Sequence, residues 1–347
     1  MAERVVLHVG AMKSGTSHLQ GRLFAGQELL GERGILVPGR AWGHQVRAVR
    51  DLTASVGPES SEKAGRHWRR LTEQVNAFDG TAVVSMEYLG PVRPAVAERA
   101  VADLAGARVE VVVTARDLNR SLTAMWQETV QNGRSWTWSD YLAGAQERRP
   151  SAGGSTDRSS PGGTFWRQQD LVRISRKWAR VVGADAVTLV TLPPPGGDRE
   201  ALLGRFGEAT GLDLADLPPS RGDNASLGLA STMALQRLNV LLAEQHGITG
   251  ASASGLRKHR LAKSVLARRR DVEPALGLPV HAWVREEART MVTGLQELGV
   301  RLVGSWDDLT PVAVPGITPE EVPESAVTQA ALAGLAGLLV DSAGASG

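Results

Sequence analysis

The order of apolar and polar positions predicts strands that alternate with helices over the first two hundred residues. Short apolar, β-branched runs typical of buried strands lie at 5–9, 81–86, 109–114 and 186–192, with a short extended piece at 35–38. Between and after these runs, apolar residues recur at helical spacing. The helical segments predicted in this way are 44–56, 61–78, 165–182 and 199–210, and a further helix starts near Pro91. This alternation predicts an α/β fold with a central parallel sheet and crossover helices.

The pattern becomes helical from about residue 225. Helices are predicted at 228–246, 256–270 and 283–298, followed by a last strand within 300–306. We expect one α/β domain over residues 1–310, followed by a Pro-, Ala- and Gly-rich tail, 311–347. In that tail Leu332, Leu335, Leu338 and Leu339 suggest a short amphipathic helix. The segment 150–163 has almost no apolar side chains to bury, so it is predicted to be a mobile loop. It is either a flap over a molecule bound as acceptor in a reaction or an insertion without function.

The first strand leads directly into a glycine-bounded loop, 10–17, which contains Lys13 and opens into a helix. Backbone N–H groups and the helix dipole favour an anion in such a loop. Gly10 and Gly15 have the separation of the nucleotide-triphosphate motif G-x-x-x-x-G-K-[ST], but Thr16 stands where that motif has its lysine. The loop therefore fits the nucleotide-binding motif of a kinase or ATPase poorly. An ATP-dependent kinase is kept as an alternative to the function that is inferred below.

Two further features follow the ends of predicted strands. Glu87 ends the strand at 81–86, and Arg116 comes directly after the strand at 109–114. Ligands of parallel sheets bind at the carboxyl ends of the strands. The loop, Glu87 and Arg116 are thus expected to face one crevice, whereas His8, inside the first strand, is expected to be a hydrogen-bonded core residue.

The loop also contains the sequence K-[ST]-G-T-[ST]. The residues are Lys13, Ser14, Gly15, Thr16 and Ser17, preceded by His-Val-Gly. This resembles the 5′-phosphosulfate loop of bacterial sulfotransferases that use 3′-phosphoadenosine 5′-phosphosulfate. The resemblance implies a three-layer sandwich with a P-loop-NTPase-like sulfotransferase fold. It covers roughly residues 4–310 and is strong only at this loop and at Arg116.

Arg116 resembles the arginine with which that family binds the 3′-phosphate. The guanidinium is a fixed fork of donors suited to a phosphate. The family pairs it with a serine eight residues later, and here that position is Ala124. Thr123 or Ser121 is the candidate substitute, and Arg221, in a late loop at 221–224, is a candidate to close over the nucleotide.

The resemblance also implies a mechanism without a metal ion. Lys13 would stabilise the leaving group, and residues 14–17 would hold the 5′-phosphate with backbone and hydroxyl donors. The acceptor, a hydroxyl or amine of a small molecule or carbohydrate, needs a base. Glu87 is the first candidate and His44, after a loop that could rim the pocket, is the second. A non-catalytic nucleotide-binding protein of the same fold is a further alternative.

Composition narrows the classes of partner. The 347 residues carry a formal charge of +2 and contain no cysteine, so disulfides and thiolate chemistry are excluded. The balanced charge does not suggest a nucleic-acid partner. No apolar run reaches the ~20 residues of a membrane span, and a cytoplasmic protein is expected. Whether it is a monomer or a homodimer is left open.

Overall fold

The computed structural model describes residues 2–56, 65–104, 106–153, 157, 159–198, 200–220, 226–250 and 253–344. They group into two compact units. The first unit comprises Met1–Asp117, Arg167–Gly222 and Glu287–Thr310, and the second comprises Leu118–Trp166, Asp223–Glu286 and Pro311–Gly347. That residues 1–310 form a single domain stays a prediction.

Strands and helices alternate through the first part of the chain. They are β1 (Arg4–His8), α1 (Thr16–Ala25), α2 (Gln27–Glu32), β2 (Ile35–Leu36), α3 (Trp42–Ser55), α4 (Arg66–Asn76), β3 (Thr81–Ser85), α5 (Pro94–Ala102) and β4 (Arg108–Ala115). Next come α6 (Leu118–Gln131), α7 (Trp138–Glu147), α8 (Pro161–Gln169), α9 (Leu171–Val182), β5 (Val187–Thr191) and α10 (Glu200–Thr210). The last elements are α11 (Leu229–His246), α12 (Ala282–Leu298), β6 (Arg301–Val303) and α13 (Glu324–Gly344).

The six strands found in the described residues form one sheet in the first unit, in the order β2-β3-β1-β4-β5-β6. Every neighbouring pair is parallel. Parallel strands require crossover connections, and helices supply them here. The structure thus confirms the α/β fold with a central parallel sheet that the alternating pattern predicts.

Both faces of this sheet are buried, which is why its strands read as continuous apolar runs. On one face Val6, Val83 and Val112 pack with helical residues of α1, α2 and α10, including Leu19, Leu23, Leu30 and Phe206. On the other face Leu7, Val84 and Val111 are fully buried. Helix α9 packs against β4 and β5 and buries Ile174 and Trp178. The result is the predicted three-layer arrangement.

A buried polar junction links the three central strands. The Nδ1 atom of His8 lies 2.8 Å from the Ser85 hydroxyl, and its Nε2 atom lies 3.0 Å from the Thr114 hydroxyl. His8 is fully buried, and burial lowers its pKa to about 3. It is a neutral, hydrogen-bonded core residue, as the sequence predicts.

Some predicted boundaries differ from the structure. The helix expected near Pro91 begins at Pro94, because residues 87–89 form a 3₁₀ turn and the Val92 carbonyl accepts a hydrogen bond from Lys177 Nζ at 2.9 Å. The segment predicted as helix 256–270 is a π-helix, Gly255–Val265, followed by a 3₁₀ helix, Leu266–Val272. The proposed mobile loop 150–163 includes residues 154–156 and 158, which lie outside the described residues.

Helix α13 also differs from the predicted short amphipathic helix. It runs over 21 residues, and its glycines pack closely in the second unit: a Cβ on Gly334 would lie 2.8 Å from Leu261, and one on Gly337 would lie 2.4 Å from Val265. Of the four leucines that suggest this helix, Leu332, Leu335 and Leu339 are exposed. Among the described helices, α13 included, none combines the length and apolar character needed to cross a membrane.

We predict that His8 makes the fold sensitive to acid. In the unfolded chain the imidazole of His8 is protonated below its ordinary pKa of 6.5. In the folded protein it stays neutral until the pH falls to about 3. This stability is complete above pH 6.5 and is lost as the pH falls toward 3, at about 1.4 kcal/mol per pH unit. In the His8→Gln variant, the free energy of unfolding, measured with urea at several pH values, should fall less steeply as the pH is lowered over this range. The exposed His67→Gln control should keep the original slope, and equal slopes in all three proteins would contradict the prediction.

Candidate functional site

The loop after β1 lies at the carboxyl edge of the sheet, between the ends of β3 and β4. Strand β1 is hydrogen-bonded to both of these strands. Beyond the strands, the Met86 amide donates to the His8 carbonyl at 2.9 Å, and the Ala11 amide donates to the Thr114 carbonyl at 2.6 Å. The ends of three strands therefore meet, and the loop, Glu87 and Arg116 each follow one of these neighbouring strands.

Three residues of the loop adopt left-handed backbone conformations. Gly10 has φ 84°, Gly15 has φ 77°, and Lys13, which carries a side chain, has φ 60°. A non-glycine residue there is uncommon and strained. Gly10 is required for a second reason, since a Cβ on it would lie 2.8 Å from Glu87 Cβ. The loop is thus packed directly against the residue that follows β3.

The N-terminus of α1 has the electrostatic character that favours an anion. Gly15 is its N-cap, so no side chain caps the helix, and its first turn carries no acidic residue. The first N–H groups of a helix lack intrahelical partners, and the helix dipole adds partial positive charge there. Together with the half-buried Lys13, this end of α1 fits the 5′-phosphosulfate end of the nucleotide that the resemblance implies.

The hydroxyl groups of the loop are not equivalent. Ser14 is buried, and its Oγ donates to the Ala11 carbonyl at 2.5 Å and lies 2.7 Å from the Thr114 hydroxyl. This hydroxyl stabilises the loop from within, which leaves the backbone amide as the group of Ser14 suited to a phosphate. Thr16 is also buried, whereas Ser17 is exposed. Their roles toward a ligand stay predictions.

Glu87 is held by a neighbour from α1. Glu87 is buried. Gln20 Nε2 donates to Glu87 Oε2 at 2.7 Å and to the Ser85 carbonyl at 3.1 Å. One carboxylate oxygen is therefore fixed by an amide, which orients the carboxylate. His44, the second candidate base, is exposed at the start of α3, with Nδ1 3.3 Å from the Ala41 carbonyl.

The residues predicted to bind the 3′-phosphate are placed as follows. Arg116 is half-buried, directly after β4. Thr123 is buried in α6, and its hydroxyl donates to the Arg120 carbonyl at 3.1 Å. Arg221 lies outside the described residues. These three assignments stay predictions.

Two polar residues of the α8–α9 segment contact the site but were missed by the sequence analysis. Gln169 Nε2 donates to the carbonyl of Met12 in the loop at 2.9 Å. Lys177 Nζ donates to the carbonyls of Gly90 and Val92, just after the turn that begins at Glu87. The loop and the turn are therefore each hydrogen-bonded to this segment.

Gln20 was missed as well, although the sequence carried a signal for it. It is a buried amide on the face of α1 that also buries Leu19 and Leu23. A polar side chain on an apolar helix face must find a partner when it is buried. That rule predicts a bonded glutamine, but its partner, Glu87, lies 67 positions away and is not evident from spacing.

The comparisons with known proteins leave the family open. No protein-family model matches the chain, and no curated protein matches it. Among solved structures, it is similar to the crystal structure of a sulfotransferase from Alicyclobacillus acidocaldarius. The two share 15% sequence identity, the match covers 71% of this chain and 97% of that chain, and the TM-score is 0.38. A similarity at this level does not establish the activity of this chain, which is argued below from its own residues.

We predict that replacing Gly10 by alanine destabilises the fold. The substitution puts an L side chain at φ 84° and a Cβ 2.8 Å from Glu87 Cβ, which should lower the free energy of unfolding by about 2 kcal/mol or more. The matched control is Gly31→Ala in α2, where nothing lies within 4 Å of the added Cβ. That change should stabilise the protein by up to about 1 kcal/mol. Urea unfolding measures both, and equal effects would contradict the steric argument.

Proposed function

We propose that the chain is a sulfotransferase that moves a sulfuryl group from 3′-phosphoadenosine 5′-phosphosulfate to a hydroxyl or amine of a small-molecule or carbohydrate acceptor. The carrying observation is the loop at 10–17. An uncapped helix N-terminus, a lysine in a left-handed backbone conformation and a carboxylate residue packed on Gly10 occur together at one sheet edge.

Lys13 is proposed to stabilise the leaving group. When bound, the donor supplies an activated sulfuryl group and leaves as adenosine 3′,5′-bisphosphate. Transfer of this kind demands alignment of the reacting groups and charge stabilisation rather than covalent work by the protein. The ammonium of Lys13 supplies positive charge and the amides at the start of α1 supply donors, so the proposal needs no metal ion. A preorganised donor of this type contributes about 3 kcal/mol to a transition state.

Glu87 is proposed to be the base that takes the acceptor's proton. Glu87 is a buried residue beside the loop, and Gln20 donates a hydrogen bond to its Oε2 atom. With that oxygen occupied, Oε1 is the atom suited to receive the proton. Gln20 is then a positioning residue, because it orients the carboxylate without contacting the acceptor. His44, exposed on α3, is the alternative base.

Arg116 is proposed to bind the 3′-phosphate, with Thr123 and Arg221 as further contacts. Arg116 follows β4, and the loop at 10–17 follows the neighbouring strand β1. A nucleotide with phosphates at both its 5′ and 3′ positions needs two separate cationic groups. Lys13 and Arg116 provide these two groups in the proposal.

We predict that adenosine 3′,5′-bisphosphate binds and raises the melting temperature. Calorimetry should show tighter binding of the bisphosphate than of adenosine 5′-phosphate, and the Arg116→Gln variant should lose about tenfold or more of that preference. The control Arg69→Gln changes an exposed arginine on α4 and should keep the preference. Absence of bisphosphate binding at millimolar concentration would refute the proposal. Tight binding of Mg·ATP instead would favour a kinase.

We predict that Glu87, and not His44, limits turnover. Sulfate release from the donor, with water as acceptor, measures turnover without knowledge of the natural acceptor. Glu87→Gln should slow this release by about 10²-fold or more while bisphosphate affinity is kept, because only the proton acceptor is removed. His44→Gln should behave like the unmodified protein. If His44→Gln were the slow variant, the base would be His44.

A further inference from the structure

Two successive backbone carbonyls of the loop at 10–17, those of Ala11 and Met12, are bonded by buried side chains. The Ala11 carbonyl accepts from Ser14 Oγ at 2.5 Å, and the Met12 carbonyl accepts from Gln169 Nε2 at 2.9 Å. The Ser14 bond spans three residues, so it moves with the loop. The Gln169 bond spans 157 residues and ties the loop to a distant segment of the first unit.

The Gln169 bond determines the orientation of the peptide that precedes Lys13. The Met12 carbonyl and the Lys13 amide belong to one planar group, in which the C=O and N–H bonds point in opposite directions. A donor that holds the carbonyl therefore also fixes the Lys13 nitrogen, about which the φ angle of Lys13 is defined. That angle is 60°, in the left-handed region. A residue with a side chain stays there only while its surroundings impose it.

Gln169 is itself held at the junction of α8 and α9. It is buried, and the next residue, Asp170, is the N-cap of α9, where its side chain accepts from the Arg173 amide at 2.9 Å. Helix α9 packs against β4 and β5, in the sheet from which the loop emerges. The amide donor therefore comes from a fixed junction. Its loss would remove the partner of a buried carbonyl, which proteins rarely leave unpaired.

We propose that Gln169 is a positioning residue for Lys13. By holding the Met12 carbonyl, it keeps Lys13 in the left-handed conformation that sets the direction of its side chain. The inference rests on the proposed sulfotransferase function, in which Lys13 stabilises the leaving group. It adds a residue that acts without contacting the nucleotide. A displacement of about 1 Å at such a group slows a reaction by about 10²-fold, so this bond matters for the rate.

The chemistry of glutamine suits this role. Its amide is a neutral donor, so it holds a carbonyl without adding a charge that would repel or neutralise the Lys13 ammonium. Gln20 has the corresponding relation to Glu87, whose Oε2 atom it bonds. In the proposal, one buried glutamine orients the base and another orients the cation.

The conformational part of the proposal is tested by urea unfolding of the protein without a ligand. Lys13→Gly removes the strain, because glycine adopts positive φ readily. In the Gln169→Leu background, lysine can leave the left-handed region and relieve the strain by itself. Lys13→Gly should therefore be less stabilising there than in the presence of Gln169. The larger unfolded-state entropy of glycine is the same in both backgrounds and cancels in the comparison.

The matched control is Gln27→Leu. Gln27 Nε2 also donates to backbone carbonyls, those of Val37 and Gly39, at 2.8 and 2.7 Å. Lys13→Gly should have the same effect in this background as in the unmodified protein. An equal effect in the Gln169→Leu background would overturn the proposal. If Gln169→Leu does not fold, Gln169→Glu replaces it, because an ionised carboxylate has a similar shape and donates no hydrogen bond.

The catalytic part is tested by sulfate release from the donor. Gln169→Leu should lower kcat by about tenfold or more, because a displaced Lys13 no longer meets the charge that develops on the leaving group. The affinity for adenosine 3′,5′-bisphosphate should change by less than about threefold, since only transition-state stabilisation is lost. Gln27→Leu should leave both quantities unchanged. Equal losses of kcat and of bisphosphate affinity in Gln169→Leu would indicate a structural role alone and would overturn the proposal.

The two proposals fail in different ways. If the unmodified protein neither binds the bisphosphate nor releases sulfate, the sulfotransferase proposal fails, whatever the urea result. If the unmodified protein does both and Gln169→Leu releases sulfate at the same rate, only the role of Gln169 is refuted.

Discussion

A continuous set of buried polar contacts gives the loop its shape. The imidazole of His8 joins the hydroxyls of Ser85 and Thr114, and the Thr114 hydroxyl in turn contacts Ser14, whose Oγ also bonds the Ala11 carbonyl. Because the imidazole is neutral, both of its nitrogens can be satisfied in the sheet without a buried charge. The contacts run from β3 through β1 and β4 into the loop. The strained backbone at Lys13 depends on this support, since such strain persists only where the surroundings impose it.

The candidate site is preorganised on both sides of this loop. Gly10 brings the backbone against Glu87, Gln20 fixes one carboxylate oxygen, and Gln169 bonds the carbonyl of Met12. Lys13 is thus displayed from a loop that is fixed by strands and helices rather than by the ligand. Groups held in this way lose little freedom when charge develops in a reaction, which is the condition for effective electrostatic stabilisation.

The sequence predicts the parts of this arrangement that depend on local patterns. Buried parallel strands are apolar on both faces, so the runs around Val6, Val83 and Val112 identify the sheet, and strand ends then locate the loop, Glu87 and Arg116. Contacts between distant residues follow no such pattern. The bond from Gln20 to Glu87 and that from Lys177 to Val92 span 67 and 85 positions. Periodicity also misjudges α13, because close packing at Gly334 and Gly337 turns its leucines outward.

The strand order has a consequence for how the chain reaches this structure. Strand β1 is made first but lies between β3 and β4, and His8 meets its partners Ser85 and Thr114 only 77 and 106 residues later. Pairings of such long range close slowly, because the entropy of large loops is lost before the contacts form. During synthesis, about a hundred further residues must therefore be added after β1 and the loop at 10–17 before both neighbouring strands exist. Within the sheet, the loop of the candidate site is therefore made well before the two strands that hold it in place.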